Sequence, residues 1–193
     1  MRTIVFATSV ILAVVIAAAA QDGPPPPPLI YAPPAAADIQ TFSSSDKSFT
    51  ASFPGKPEVE EKMMGNAKVS SIRVYRKGSN SVIGITDFMR DISANSEQVF
   101  KMVRERMVAK GDAKIVSEKD VKLDTYAGKE FVIDSGMVHR ISRVFVVRER
   151  IYEIYIDVTN WQILTDHNPK VVSEFDKEAT RFLDSFQLAK TKP

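Results

Sequence analysis

The chain has 193 residues, with 26 Lys and Arg, 24 Asp and Glu, 11 Pro and no Cys. Its formal net charge of +2 gives no basic excess of the kind that nucleic-acid-binding domains carry. The lack of cysteine excludes disulfides, thiolate zinc sites, iron–sulfur clusters and a cysteine nucleophile. A hydrophobic fraction of 44% and a charged fraction of 26% are typical of a globular domain, and the length favours a single one.

The first twenty residues have the pattern of a secretory signal peptide. Met1-Arg2-Thr3 precedes an apolar run over residues 4–16, and a row of alanines ends at Ala20. Small residues at this point fit cleavage after Ala20. An uncleaved membrane anchor is the alternative, although an apolar stretch of about 17 residues lies at the short end of what spans a bilayer. We predict a signal peptide over residues 1–20, with membrane contact only through an uncleaved signal.

Two absences indicate the compartment. The chain has no Cys and no Asn-x-Ser/Thr glycosylation site, since Asn80 and Asn95 are followed directly by Ser but not by Ser or Thr two positions on. Both features are less typical of eukaryotic secretion than of a bacterial envelope. We therefore predict a bacterial periplasmic or secreted protein.

Most of the prolines lie in residues 21–41, as Pro24–Pro28, Pro33 and Pro34. Consecutive prolines fix φ and lack N–H donors, so this run is expected to be polyproline II rather than helix or sheet. Two roles are open: a spacer that holds the domain away from a membrane or wall, and a docking ligand for a proline-binding module. The sequence favours the spacer, and we predict a disordered Pro/Ala-rich linker over residues 21–41.

A single globular domain is predicted over residues 42–193, where the composition becomes patterned. Alternating apolar and β-branched residues predict strands over 48–53, 69–75, 81–88, 115–123, 129–134, 138–147 and 151–158, with a short edge strand over 184–188. A turn is predicted at Tyr126-Ala127-Gly128, between the fourth and fifth of these strands.

Two amphipathic helices are predicted between and after the strands. The first has Asn95 and Gln98 as a capping box and a glycine end at Lys110-Gly111. The second begins at Asn168-Pro169 and carries an apolar stripe over residues 171–183. Because the strands are too close in the chain for parallel crossovers, we predict an α+β fold with an antiparallel sheet flanked by two main helices.

Familiar catalytic signatures are missing from the sequence. The chain has no Gly-x-Ser-x-Gly elbow, His-Glu-x-x-His motif, phosphate-binding glycine loop or calcium loop. A metal site would need both His139 and His167 with Asp157 or Asp166, and nothing in their spacing predicts that they meet. We therefore assign no catalytic residue, no metal and no cofactor.

Three polar residues are candidate contacts for a ligand or partner. Asp87, which with Asp91 ends the third strand, offers a carboxylate for hydrolysis, although aspartates commonly end strands and turns. Arg143 belongs to an arginine cluster that would bind a carboxylate or phosphate, unless acidic neighbours such as Glu130 neutralise it. Tyr155, with Trp161 and Tyr152 nearby, would mark the rim of a binding surface, and the alternative is that these rings pack in the core.

Five segments and the middle helix form a recognisable pattern: Phe49–Pro57, Tyr126–Glu130, Arg143–Val147, Arg150–Tyr152 and Phe182–Phe186. Together they resemble small exported bacterial domains of the PsbP-like fold, an α/β/α sandwich named after an extrinsic subunit of the photosystem oxygen-evolving complex and shared by small Ran-binding proteins. The resemblance covers about residues 42–190 and includes no catalytic signature. It implies the sandwich fold and an interaction or assembly role rather than catalysis, and it carries over no site residue.

The sequence therefore favours an exported, non-enzymatic binding or assembly module with a protein partner in the bacterial envelope and no nucleic-acid partner. The alternative is a small-ligand binder or hydrolase that uses a cleft between helix and sheet, with Asp87, Arg143 or Tyr155 in it.

Overall fold

A computed structural model describes residues 31–109, 113–161 and 169–189. The predicted signal peptide, the run Pro24–Pro28 and the predicted helix end at Lys110-Gly111 lie outside these residues. The strands are β1 (Gln40–Ser43), β2 (Phe49–Phe53), β3 (Glu58–Met64), β4 (Ala67–Arg76), β5 (Ser79–Asp87), β6 (Lys114–Leu123), β7 (Tyr126–Asp134), β8 (Val138–Val147), β9 (Arg150–Thr159) and β10 (Gln187–Leu188). The helices are α1 (Ser96–Val108) and α2 (Pro169–Asp184), with 3-10 turns at Ala36–Asp38 and Ser93–Asn95. No helix within the described ranges is long and apolar enough to cross a membrane.

The larger of the two sheets is antiparallel and has the order β3-β4-β5-β9-β8-β7-β6. Most of its strands follow from long β-branched runs joined by tight turns, as at Arg148 between β8 and β9, where φ is 54°. β5 pairs with β9 along its whole length, from Ser79 opposite Val158 to Asp87 opposite Arg150. This pairing joins two groups of hairpins into one sheet and confirms the predicted α+β class with antiparallel strands.

A second sheet has the order β1-β2-β10 and is also antiparallel. The sequence patterns predict β2 and β10 within a single sheet, but they predict neither β1 nor β3. β3 was missed because it is an edge strand that is exposed along nearly its whole length, so its mostly charged sequence needs no apolar alternation. β1 was missed because it has four residues and Phe42 is the apolar one.

The core lies on both faces of the larger sheet. Phe145 packs with residues of α2 and the small sheet, whereas its neighbours Val144 and Val146 pack with residues of α1. Successive residues of a strand point to opposite faces, so the two hydrophobic clusters lie on opposite faces of the sheet. Four residues of the α2 stripe are at most 4% exposed: Phe175, Ala179, Phe182 and Leu183. Each of the three large side chains among them contributes about 1.5–3 kcal/mol by burial.

Aromatic rings connect the small sheet to the core. The ring of Phe49 lies 5.8 Å from that of Tyr152 and 5.1 Å from that of Phe186. Phe53 is similarly 5.2 Å from Phe182. Such pairs add about 0.5–1.5 kcal/mol each beyond their buried area. The small sheet is therefore held against β9 and α2 by packing.

Both helices begin at the predicted positions, but the predicted cap of α2, Asn168, lies outside the described residues. α2 begins at Pro169 as predicted, where a proline loses no hydrogen bond. α1 begins at Ser96, but the predicted capping box is wrong, because the Asn95 side chain makes no cap hydrogen bond. A 3-10 turn leads into α1 and gives Asn95 a ψ of 18°, away from the extended conformation that N-cap residues adopt.

Gly128 was predicted in a turn but lies inside β7, and the turn before it contains Asp124 with φ 53°. A Cβ on Gly128 would lie 2.3 Å from Cδ1 of Phe145 and 2.7 Å from the carbonyl oxygen of Val144. Glycine is needed here because a ring of the neighbouring strand approaches the backbone closely.

The described part of the predicted linker, residues 31–41, packs on the domain. Tyr31 is 2% exposed, its ring meets that of Phe175 edge-on at 5.8 Å, and its hydroxyl donates to Glu178. Arg76 lies 3.0 Å from Glu178 and also donates to the carbonyl oxygen of Ala32. The folded part therefore begins before residue 42, and we call residues 31–34 the N-terminal strap.

Candidate functional site

A cleft opens between the β1–β2 hairpin and the neighbouring face of β3, β4 and β5. Its floor is apolar and is formed by Phe42 and Phe49 of the small sheet and by Ile72 and Ile85 of the large one. Val59 of β3 forms a lip that is 53% exposed, because β1 is the last strand of the small sheet on this side. The cleft has a volume of about 180 Å³, about six times the share of one water molecule in the liquid.

Charged side chains of alternating sign line this cleft. Nζ of Lys68 lies 2.9 Å from a carboxylate oxygen of Glu61, and Lys68 is the cross-strand neighbour of Asp87. Arg150 of β9 is the cross-strand neighbour of Asp87 on the other side of β5. Its guanidinium lies 2.8 Å from the carboxylate of Asp87 and 2.6 Å from that of Asp46 in the β1–β2 turn. We call these five residues the charge series. Three carboxylates face two cations, so the series carries one uncompensated negative charge.

The contacts within the charge series keep three of its members ionised: Asp46, Glu61 and Arg150. Burial acts to raise the pKa of Asp46, but hydrogen bonds from Ser48 and Arg150 lower it well below its usual range. Burial acts to lower the pKa of Arg150, but its hydrogen bonds to a tyrosine hydroxyl and to Asp46 raise it further above neutrality. Lys68 lowers the pKa of the exposed Glu61 carboxyl. These shifts move each group away from the range near pH 7 that suits proton transfer, so the arrangement is suited to binding and orienting.

The candidates Asp87 and Arg143 lie on the same face of the large sheet but in separate places. Asp87 is in the cleft and is bound to an arginine, whereas Asp91 accepts a hydrogen bond from a backbone N–H at 2.8 Å. Arg143 lies outside the cleft, 2.7 Å from Glu130 and 2.6 Å from Asp184 of α2. The acidic neighbour weighed in the sequence analysis, Glu130, therefore neutralises Arg143.

Tyr155 lies on the opposite face of the sheet, so the structure does not bring the three candidates together. The guanidinium of Arg140 is 4.0 Å from the centre of the Tyr155 ring and donates two hydrogen bonds to Asp157, at 2.6 and 2.8 Å. Burial raises the pKa of Tyr155 to about 12, so its hydroxyl keeps its proton at neutral pH. Asp157, weighed above as a metal ligand, is thus bound to Arg140.

His139 packs as an aromatic ring. It is 8% exposed and stacks on Trp161 with ring centres 4.0 Å apart. The residues weighed as its partners, His167 and Asp166, lie outside the described residues. Within residues 31–109, 113–161 and 169–189, no three His, Asp or Glu side chains are grouped so as to hold a metal ion.

Among solved structures, the chain is similar to the solution structure of cyanobacterial PsbP (CyanoP) from Synechocystis sp. PCC 6803. The TM-score is 0.50 and the identity 13%, over 80% of this chain and 95% of that chain. The chain has a PsbP-like fold. A protein of unknown function from Pseudomonas aeruginosa, PA94, matches with a TM-score of 0.37 and 9% identity, over 71% of this chain and 93% of that chain. No family model matches the chain, and no curated protein matches it in sequence.

This match confirms the PsbP-like fold that the five sequence segments and the middle helix indicated. It assigns no residue a role, because one fold supports many functions. The function of the site therefore depends on this chain's own residues, which the PsbP-like fold positions.

Four members of the charge series were not predicted as site residues. They are Asp46, Glu61, Lys68 and Arg150. The partners are far apart in sequence, with 63 residues between Asp87 and Arg150 and 104 between Asp46 and Arg150. The register of β4, β5 and β9 brings Lys68, Asp87 and Arg150 into one row. Parity within each strand indicates only which face each residue takes. The one signal in the sequence was the arginine cluster, which contains Arg150.

Proposed function

We propose that the protein is an exported, non-enzymatic binding module of a bacterial envelope, and that the cleft is its binding surface for a protein partner. The observation that carries this proposal is an apolar floor left open beside charges that are already paired. Covering the exposed Val59 and the partly exposed Phe42 and Ile85 would remove apolar surface from water, which favours association. The uncompensated negative charge would favour a partner with a basic residue at this point.

Export is proposed from the signal pattern of residues 1–20, with cleavage after Ala20 and a periplasmic or secreted location. The lack of cysteine supports a bacterial envelope over an oxidising eukaryotic route. We also propose that α1 and α2, on opposite faces of the large sheet, form the outer layers of an α/β/α sandwich.

Site-specific photo-crosslinking in intact cells tests the partner role. A photoreactive residue replaces Val59 at the cleft lip, and the control position is Val116, which is 64% exposed on β6 at the far edge of the same sheet. We expect a protein adduct of defined mass from position 59 and none from position 116. Equal adducts from both positions would contradict the proposal, because they would report collision rather than docking.

A pair of cleft variants makes the experiment specific. Ser70→Phe places a ring in the cleft, whereas Ser71→Phe places the same ring on the opposite face of β4. We expect the position-59 adduct to disappear in Ser70→Phe and to remain in Ser71→Phe. Retention of the adduct in both variants would show that the cleft is not the contact surface.

A small-ligand binder or hydrolase is the second candidate, and it is favoured by a cleft large enough for a molecule of side-chain size with Asp87 at its wall. Its test is mass spectrometry of the small molecules released when the purified protein is denatured. A compound that co-purifies with the parent protein and with Ser71→Phe, but not with Ser70→Phe, would place a ligand in the cleft. Identical extracts from all three proteins would count against this candidate.

A further inference from the structure

β1 is the least protected of the four strand edges that the described residues leave free, which are β1, β10, β3 and β6. β3 carries four charged residues among seven, and β6 carries five among ten and has a bulge between Ile115 and Ser117. β10 has only two residues. β1, with the sequence Gln-Thr-Phe-Ser, has no charge, no proline and no bulge. Charges, bulges and extreme shortness are what usually keep an edge from pairing with another chain, so β1 is the edge most open to such pairing.

Two residues of β1 point their main-chain groups away from the small sheet. The N–H of Ser44 donates to the carbonyl oxygen of Phe49 at 3.1 Å. Alternate residues of an antiparallel strand bond to the same neighbour, so Phe42, like Ser44, is bonded to β2. The N–H and C=O groups of Thr41 and Ser43 therefore face outward, and both residues are exposed. A strand laid along this edge could pair with the main-chain groups of both residues.

A strand added to β1 would lie over the open part of the cleft. It would run about 4.8 Å from β1 and about 10 Å above the large sheet, which are the spacings of paired strands and of stacked sheets. Below it lie Ser70 and Val59, which both line the cleft, and Val59 is 53% exposed. A side chain opposite Phe42 would share its face and enter the cleft. The added strand would thus fill the gap that leaves Val59 exposed.

The charges at one end of the cleft select the partner. Ser44 lines the cleft together with Asp46 and Glu61, and the charge series carries one uncompensated negative charge. On an added strand, the residue opposite Ser44 is two positions from the one opposite Phe42 and takes the same face. A lysine or arginine there would extend toward the two carboxylates. A second copy of this chain is disfavoured, because it would bring a second uncompensated negative charge to the same place.

We propose that the cleft binds an extended segment of its protein partner as a fourth strand of the small sheet, paired with the free edge of β1. The segment has an apolar residue that enters the cleft and a Lys or Arg two positions away. This inference rests on the proposed function, because it takes the cleft as the contact surface for a partner. It adds the mode of binding, in which main-chain hydrogen bonds to β1 give affinity and the two inward side chains give specificity.

Proline substitution tests the main-chain pairing. Thr41→Pro removes an outward N–H and no bond to β2, and proline is tolerated at such edge positions. Thr41→Ala is the matched control, because it shortens the side chain and keeps the N–H. With the photoreactive residue at position 59 in intact cells, we expect Thr41→Ala to form the adduct at the parental rate. Thr41→Pro should form it at about one tenth of that rate, because a main-chain hydrogen bond is lost.

The fold of the proline variant is checked by urea unfolding of the purified protein. Ser43→Pro removes the other outward N–H and replaces Thr41→Pro in the experiment if that variant does not fold. The expected loss of adduct is the same.

Charge reversal tests the chemistry of the partner. Glu61→Lys reverses a charge that lines the cleft, whereas Glu60→Lys reverses one on the opposite face of β3. We expect Glu61→Lys to slow adduct formation about fivefold and Glu60→Lys to leave it unchanged. The crosslinked segment of the partner, sequenced by mass spectrometry, should contain an apolar residue with Lys or Arg two positions away.

The outcomes separate this inference from the proposed function. Absence of any adduct from the parent protein would contradict the proposed function and this inference with it. An adduct that is lost in Ser70→Phe but forms at the parental rate in Thr41→Pro would leave the cleft as the contact surface and overturn the strand pairing. Equal rates in Glu61→Lys and Glu60→Lys, or a crosslinked segment without a basic residue, would overturn the partner chemistry. An adduct with the mass of two copies of this chain would overturn the assignment to a separate partner.

Discussion

Replacing Gly128 by alanine tests how closely β7 and β8 approach each other. The new Cβ would lie 2.3 and 2.6 Å from two ring carbons of Phe145 and 2.7 Å from the carbonyl oxygen of Val144. Neither neighbour can move easily, since the ring is 3% exposed within the core and the oxygen belongs to the backbone. Overpacking of this kind costs about 1–3 kcal/mol. The lower chain entropy of alanine in the unfolded state returns about 0.4–1 kcal/mol.

We therefore expect Gly128→Ala to lower the free energy of unfolding by about 1–2 kcal/mol, which for a domain of this size is about 2–8 °C in Tm. Gly84→Ala is the matched control in β5, because its Cβ would meet its nearest neighbour, the carbonyl oxygen of Glu153, at 3.7 Å. That is an ordinary contact, so the control is expected to be neutral or stabilised by about 0.5 kcal/mol. Urea unfolding followed by far-UV circular dichroism measures both variants.

Equal unfolding midpoints for the two variants would refute this reasoning. A double variant provides a second check. Phe145→Leu removes the ring that Gly128→Ala meets, so the two substitutions together should cost less than the sum of their separate effects. Strict additivity would show that the ring is not the obstacle.

Three further predictions concern the cleft, the buried histidine and the strap. Arg150→Met detaches the β1–β2 turn from the sheet and is expected to cost about 1 kcal/mol at neutral pH after allowance for solvent screening. The pKa of Asp46 is lowered in the fold, so the stability that its ion pair with Arg150 contributes is present above the unfolded pKa near 4 and shrinks as the pH falls. The urea midpoints of variant and parent should therefore differ more at pH 7 than at pH 3. Burial lowers the pKa of His139, so on acidification the unfolded chain binds the proton first, below about pH 6.5, and the free energy of unfolding falls toward pH 5. His139→Phe should remove this pH-dependent loss, which is measured by comparing urea midpoints at pH 5 and pH 7. Tyr31→Ala is expected to lower the free energy of unfolding by about 3 kcal/mol because the ring is lost. Tyr31→Phe should cost only about 1 kcal/mol, for the lost hydrogen bond to Glu178. Equal losses in thermal unfolding would show that ring packing does not hold the strap.

The parts of the fold that sequence patterns predicted are those where local composition and burial agree. β8 and β9 are long β-branched runs with both faces partly buried, and α2 has an apolar stripe at helical spacing. β3 carries charges because it lies at an edge, so its pattern resembles a loop. Gly128 has the composition of a turn, but its role depends on a ring in the next strand. Tyr31 was assigned to the linker because nothing local shows that α2 covers it.

The candidate site was less accessible to prediction than the fold. Asp87 was identified as a polar residue at a strand end, and the structure places it in the cleft. Its partner Arg150 became visible only through the β5–β9 register, since no local pattern specifies which strands pair. Arg143 and Tyr155 were chosen by residue type, and strand parity then places them on opposite faces of the sheet.

The position of β10 has a consequence for the timing of folding. β10 follows every other described strand in the chain, and it pairs with β2, the second. A nascent chain that still lacks β10 therefore cannot complete the three-stranded sheet or cover Phe49 with Phe186. Contacts so distant in sequence also form slowly. The small sheet stays open until synthesis has passed residue 188, a delay that would suit the export proposed above.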